Sequence, residues 1–155
     1  MKGAPMNYVK TAVIVLITAM ILSLVLTYAS FMTIIQNSKD NTERVLTNFV
    51  VENSTLIYNS IKNGNDFTAS LNADYFISKY LLDGTLDFDG TYLYNKNNNG
   101  GYVYRLTVPR TTFTVVNTLN LTCSYNLRIP LEFAGKRITE MIIPIKVKTS
   151  FNLKN

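Results

Sequence analysis

A predominantly hydrophobic run extends from Thr11 to Ile35 (TAVIVLITAMILSLVLTYASFMTII), a stretch with no charged residue, no Pro and no Gly. At about 1.5 Å per helical residue, such a run covers the roughly 30 Å hydrocarbon core of a bilayer. We read it as a membrane-spanning helix. Beyond Ile35 the chain turns polar without a helix breaker, and Leu46, Phe49, Val50, Leu56, Ile57 and Ile61 recur at helical spacing, with Asn53 and Ser60 as exceptions on that face. Asn63-Gly64-Asn65-Asp66 supplies the stop, because Gly64 tolerates the left-handed conformation that ends helices. No Pro or Gly interrupts Met6 to Asn63. The pattern predicts one helix on the order of 55 residues, or two with a bend near Gln36 to Asn41.

The period then changes from helical to two. From Thr118 to Ile129, Leu119, Leu121, Cys123, Tyr125, Leu127 and Ile129 alternate with polar residues; from Met141 to Leu153 a second alternation follows. If these strands pair antiparallel, like faces match only when partner numbers have an even sum, so the loop near Ala134-Gly135-Lys136 must hold an odd number of residues. Thr91–Asn95 and Tyr102–Val108 flank Asn97-Asn98-Asn99-Gly100-Gly101 and read as a hairpin. Its Tyr92, Tyr94, Tyr102 and Tyr104 either stack across the strands or form an aromatic surface for a ligand or polysaccharide. Asn72–Leu82 fits a short helix or a strand. Asp87-Phe88-Asp89-Gly90 echoes a calcium loop, but Thr91 and Tyr92 stand where a ligand and the turn Gly belong, so we read turn residues.

These elements predict an α+β fold: a long N-terminal helix, transmembrane then amphipathic, packed on a C-terminal antiparallel sheet. The expected core joins Leu46, Phe49, Val50, Ile57 and Ile61 to Leu121, Cys123, Tyr125, Ile143, Ile145 and Val147. The expected organisation is a short leader (1–10), the membrane helix (11–35), its amphipathic continuation (36–63) and an extracytoplasmic β-rich domain (64–155).

Composition narrows the chemistry. The charge of +5 comes from Lys and Arg scattered along the chain, which suggests a solvated face rather than a nucleic-acid footprint. There is no His, and Cys123 is the only cysteine, so intramolecular disulfides and Cys-based zinc sites are excluded. No phosphate loop, nucleophile elbow or metal-ligand cluster appears. Ser70 and Ser78 leave a Ser/Lys dyad open, with nothing to mark either out. We therefore expect no catalytic residue, no cofactor, no metal, and neither a nucleic acid nor a small molecule as partner. Cys123 reads as a small core residue.

Met1 to Lys10 is short and cationic, which favours a cytoplasmic N-terminus and an external remainder. A cleaved signal ending at Thr27-Tyr28-Ala29 is the competing reading, but the apolar run is long for it and continues past that site. Ala12, Ala19, Ser23 and Ser30 place small residues along one helix face, which reads either as a surface that another helix can approach closely or as the ordinary abundance of Ala and Ser in membrane helices.

A basic leader, an apolar helix, its amphipathic continuation and a C-terminal antiparallel sheet together resemble type IV pilin-like proteins. More narrowly, YNLRIPLEFAGKRITEMIIPIKVKTSFNLKN is similar to the closing hairpin, and NYVKTAVIVLI to the membrane entry, of TadE-like pseudopilins from tight-adherence pilus and secretion systems. The resemblance implies a non-catalytic, single-pass subunit that assembles through its N-terminal helix with other pilin-like subunits, inner-membrane assembly proteins and lipid. Prepilin peptidases cut after Gly, which makes Gly3 the candidate site and Ala4 the mature start. Where such pilins carry a Glu at the fifth mature position, this chain has Tyr8, which suits a minor or initiating subunit better than a major pilin.

Overall fold

The structure, a computed structural model, describes residues 4–64, 73–82, 86–97, 100–115, 118–133 and 136–152. It is α+β, with a long N-terminal helix and an antiparallel sheet. The chain divides into two compact units, Met1–Gln36 and Asn37–Asn155.

Helix α1 (Ala4–Glu52) is followed after one residue by α2 (Ser54–Lys62). No interruption occurs at Gln36 to Asn41, where a bend was one of the two expectations; the break falls at Asn53. There the Asn53 side-chain Nδ2 donates to the Phe49 carbonyl at 2.9 Å, while the backbone N–H of Asn53 reaches the same oxygen at 3.1 Å. A short amide side chain competing for backbone groups is the local cause. The helix ends as predicted, with Gly64 at φ +67° and its N–H on the Ile61 carbonyl. The undecided segment forms α3 (Ala73–Leu82).

The strands are β1 (Asp87–Phe88), β2 (Tyr92–Lys96), β3 (Tyr102–Thr107), β4 (Arg110–Val115), β5 (Thr118–Phe133) and β6 (Lys136–Asn152). All pairings are antiparallel. β1, β2 and β3 form a meander; β3 and β4 then lie one after the other along one edge of β5, and β6 takes the other edge. Pro109 lies between β3 and β4 because it has no N–H to give the ladder. From Leu106↔Leu127 to Arg110↔Ser124 one strand advances four residues and β5 only three, so Val108-Pro109 is the site of a bulge. The Asn126 N–H left over there donates to Thr107 Oγ1 at 3.0 Å.

The β5–β6 register keeps even-sum partners from Thr118↔Asn152 to Leu131↔Thr139. It then shifts, and the ladder closes at Phe133↔Lys136, leaving two intervening residues rather than the odd number expected. The extra residue is Ile138, which bulges out of β6 and absorbs the parity that the loop was expected to carry.

The inner face of the sheet is the core. Leu119, Leu121, Cys123, Tyr125, Leu127 and Ile129 are buried, together with Leu93, Leu106, Ile145 and Val147. From the helices come Val45, Leu46, Phe49 and Ile57, with the Phe49 ring 5.7 Å from that of Phe113. Val50, Ile61 and Ile143 are not fully buried: Val50 and Ile61 are half-buried and Leu56 is exposed. Full burial of a side chain of this size contributes about 1.5–3 kcal/mol.

Candidate functional site

Three regions carry distinctive chemistry. The first is the N-terminal part of α1. From Val9 to Tyr28 its large apolar side chains face solvent, and Asn7–Glu52 contains a window of hydropathy 2.5 with none of that window buried. The helix is long and apolar enough to cross a membrane. Its threonine hydroxyls are satisfied from within: Thr11, Thr18, Thr27 and Thr33 each donate to the carbonyl four residues earlier, at 2.8–2.9 Å. A threonine that bonds its own helix adds little polar cost in hydrocarbon. Ala12, Ala19, Ser23 and Ser30 are exposed on this segment. Gly3 lies outside the described residues, as does the side chain of Ala4.

The second region is buried where α1, α3 and β5 meet. Ser38 and Thr42 are polar yet almost fully buried. The Tyr125 hydroxyl donates to the Ser38 carbonyl at 3.0 Å and shares a 2.8 Å hydrogen bond with Ser38 Oγ. Thr42 Oγ1 bridges the hydroxyls of Tyr80 at 2.6 Å and Tyr125 at 3.0 Å. Burial raises the pKa of both tyrosines, outweighing the hydroxyl hydrogen bonds that lower it, so the network is neutral at physiological pH. Burial also pushes the Cys123 thiol up to about 11, which suits a core residue rather than a nucleophile. The apolar stripe misses Ser38 and Thr42. Their spacing of four from one another, and of four and three from Thr42 to Leu46 and Val45, was the available signal.

The third region is the outer face of the sheet. Glu140 Oε2 pairs with Arg105 Nη2 at 2.8 Å and Arg128 Nη1 at 3.5 Å; Oε1 lies 3.7 Å from Arg137 Nη1 and accepts the Tyr102 hydroxyl. The guanidinium of Arg105 lies 4.4 Å from the Tyr92 ring centroid, and that of Arg137 lies 4.2 Å from the Tyr102 centroid. Burial alone would raise the Glu140 carboxyl, but hydrogen bonds from Tyr102 and Arg105, the Arg105 charge and Arg128 together hold it below the usual carboxylate range.

Bulges assemble this cluster. Tyr102 and Arg105 are three apart and would face opposite sides of a regular strand, as would Arg137 and Glu140. The shift between Asn95↔Tyr104 and Lys96↔Tyr102 extrudes Val103, and that after Leu131 extrudes Ile138; each flips the next residue to the outer face. No tyrosine of the β2–β3 hairpin directly opposes another in the ladder: Tyr104 is buried inward, while Tyr92 and Tyr102 pack against arginines. At the turn before β2, Asp89 accepts the N–H groups of Tyr92 at 2.7 Å and Thr91 at 2.9 Å, and these bonds lower its pKa. Asp89 is thus a turn residue.

Lys96, Arg110, Lys146 and Lys148 lie on the same outer face, against Asp87 and Glu132. Cations that are scattered in sequence are therefore gathered in space. Among the described residues no group of His, Cys, Asp and Glu could hold a metal ion. Comparison with protein-family models, with curated proteins and with solved structures finds no match for this chain.

Proposed function

We propose that the protein is a non-catalytic, membrane-anchored subunit of the pilin-like kind, inserted and assembled through the first part of α1. The observation that carries this reading is that segment itself: large apolar side chains exposed from Val9 to Tyr28, threonine hydroxyls bonded within the helix, and no covering element among the described residues. A surface of this kind needs lipid or other helices as its solvent. The small residues Ala12, Ala19, Ser23 and Ser30 give the face on which pilin-like partners or inner-membrane assembly proteins pack, and the sheet domain lies outside the membrane with the short basic N-terminus in the cytoplasm.

The test is the intact mass and N-terminus of the protein recovered from membranes with and without a prepilin peptidase. A peptidase-dependent start at Ala4 supports assembly in a pilus or secretion apparatus. A start at Ser30 means a cleaved signal and sinks helix-mediated assembly. A second reading, an uncleaved tether for an extracytoplasmic binding domain, draws support from the basic outer face of the sheet. It predicts that cysteines placed at Ala19 and Ser23 form no cross-links to another helix.

A further inference from the structure

Among the described residues, the outer face of the sheet carries seven cations (Lys96, Arg105, Arg110, Arg128 and Arg137, with Lys146 and Lys148) against three carboxylates, Asp87, Glu132 and Glu140. A cleft of about 940 Å³ lies at the bulge between β3 and β4 and draws its lining from both faces of the sheet, with Thr111, Phe113, Tyr125 and Ile145 from the inner one. Its lining includes Thr107, Pro109, Arg110, Ser124, Asn126 and Lys146, and no carboxylate. The register explains the arrangement: Arg110 opposes Ser124, and Ser124 opposes Lys146, so the two cations flank a hydroxyl in one row across three strands. Two strand spacings separate them by roughly 10 Å. Neither Arg110 nor Lys146 makes an ion pair among the described residues, in contrast to Arg105, Arg128 and Arg137, which Glu140 holds.

We propose that this cleft binds a carboxylated polysaccharide, with Arg110 and Lys146 on successive acidic groups and Ser124 and the neighbouring hydroxyls on the sugar. The lining dictates the choice of partner. Two unpaired cations without a competing carboxylate select an anion, and the hydroxyls of Thr107 and Ser124 with the Asn126 amide match a hydroxyl-rich one. Exposed Pro144 and half-buried Val108 provide the apolar strip on which a sugar ring rests. A single-stranded nucleic acid would need free aromatic platforms for its bases, whereas the Tyr92 and Tyr102 rings on this face are engaged by guanidinium groups. This inference does not depend on filament assembly.

The test is titration calorimetry of the full chain in neutral-detergent micelles with a galacturonate hexasaccharide, beside the uncharged maltohexaose and a short DNA duplex. Galacturonate should bind and maltohexaose should not, and the double variant Arg110→Gln/Lys146→Gln should weaken binding at least tenfold. Both side chains are exposed, so the melting temperature of the variant should match the parent; should it fold poorly, shifts at the Ser124 and Asn126 amides of the parent protein replace it as the readout. Absence of galacturonate binding, binding unchanged in the double variant, shifts confined to other residues, or tighter binding of the DNA duplex would each overturn the proposal.

Discussion

Leu24 and Leu46 belong to the same helix, yet Leu24 is 71% exposed and Leu46 is 0% exposed. The same side chain in the same secondary structure meets two environments: Leu46 is covered by the core of its own unit, whereas Leu24 is exposed among the described residues. The difference shows what helical periodicity means. Around Leu24 the apolar residues surround the helix, and the surface they make is uniform. Around Leu46 they are confined to a stripe, and the polar Ser38 and Thr42 are admitted to it because Tyr80 and Tyr125 satisfy them. A helix greasy all round calls for a continuous solvent, and a striped one for a single partner.

The comparison breaks most sharply if arginines replace Leu16 and Leu22. Each costs about 2.5–3.5 kcal/mol on insertion into a bilayer, so the membrane-bound fraction should collapse in a fractionation assay while the denaturant midpoint of the sheet domain stays fixed. An equal loss of domain stability would show that the two parts of α1 are not independent.

The mirror-image substitution is Phe49→Ala, which removes a ring buried against Phe113. It should destabilise the domain by about 3–5 kcal/mol in chemical unfolding and leave membrane association intact.

Tyr125→Phe sharpens the account of the buried hydroxyls. It leaves Ser38 and Thr42 short of a partner and should cost about 1–3 kcal/mol; Thr42→Val combined with it should cost less than the two changes added together, since the pair shares one network.

The smallest effect belongs to the outer face. Glu140 titrates lower in the folded protein than in the unfolded chain, so its stabilising contribution is complete above the ordinary carboxylate value of about 4.3 and fades as pH falls through that value towards the folded one. Unfolding midpoints compared between neutral pH and pH near the carboxylate range should converge for the parent and Glu140→Gln on acidification. A gap that persists unchanged at low pH would remove the carboxylate from the explanation.

Much of the fold was legible in the chain itself. The uncharged run to Ile35, the stripe from Leu46 to Ile61 and the alternation of β5 and β6 each record a local period, and a period survives in sequence because every turn or pleat repeats the same demand. Burial of Cys123 and the stop at Gly64 arise from the same local logic. Less was legible of the candidate sites. Ser38 and Thr42 look solvated until Tyr80 and Tyr125 arrive from 38 and 83 positions beyond Thr42 to complete their hydrogen bonds. Face assignment on the outer sheet depends on Val103, Val108-Pro109 and Ile138. Single extra residues carry no periodic signature, yet each one reverses the facing of its successors along the strand and so decides which charges meet. By itself the sequence determined the elements and the apolar face of each. Only the tertiary structure decided that Arg105, Arg128, Arg137 and Glu140 share a cluster and that Arg110 and Lys146 flank a cleft, because those pairings rest on register across strands far apart in the chain.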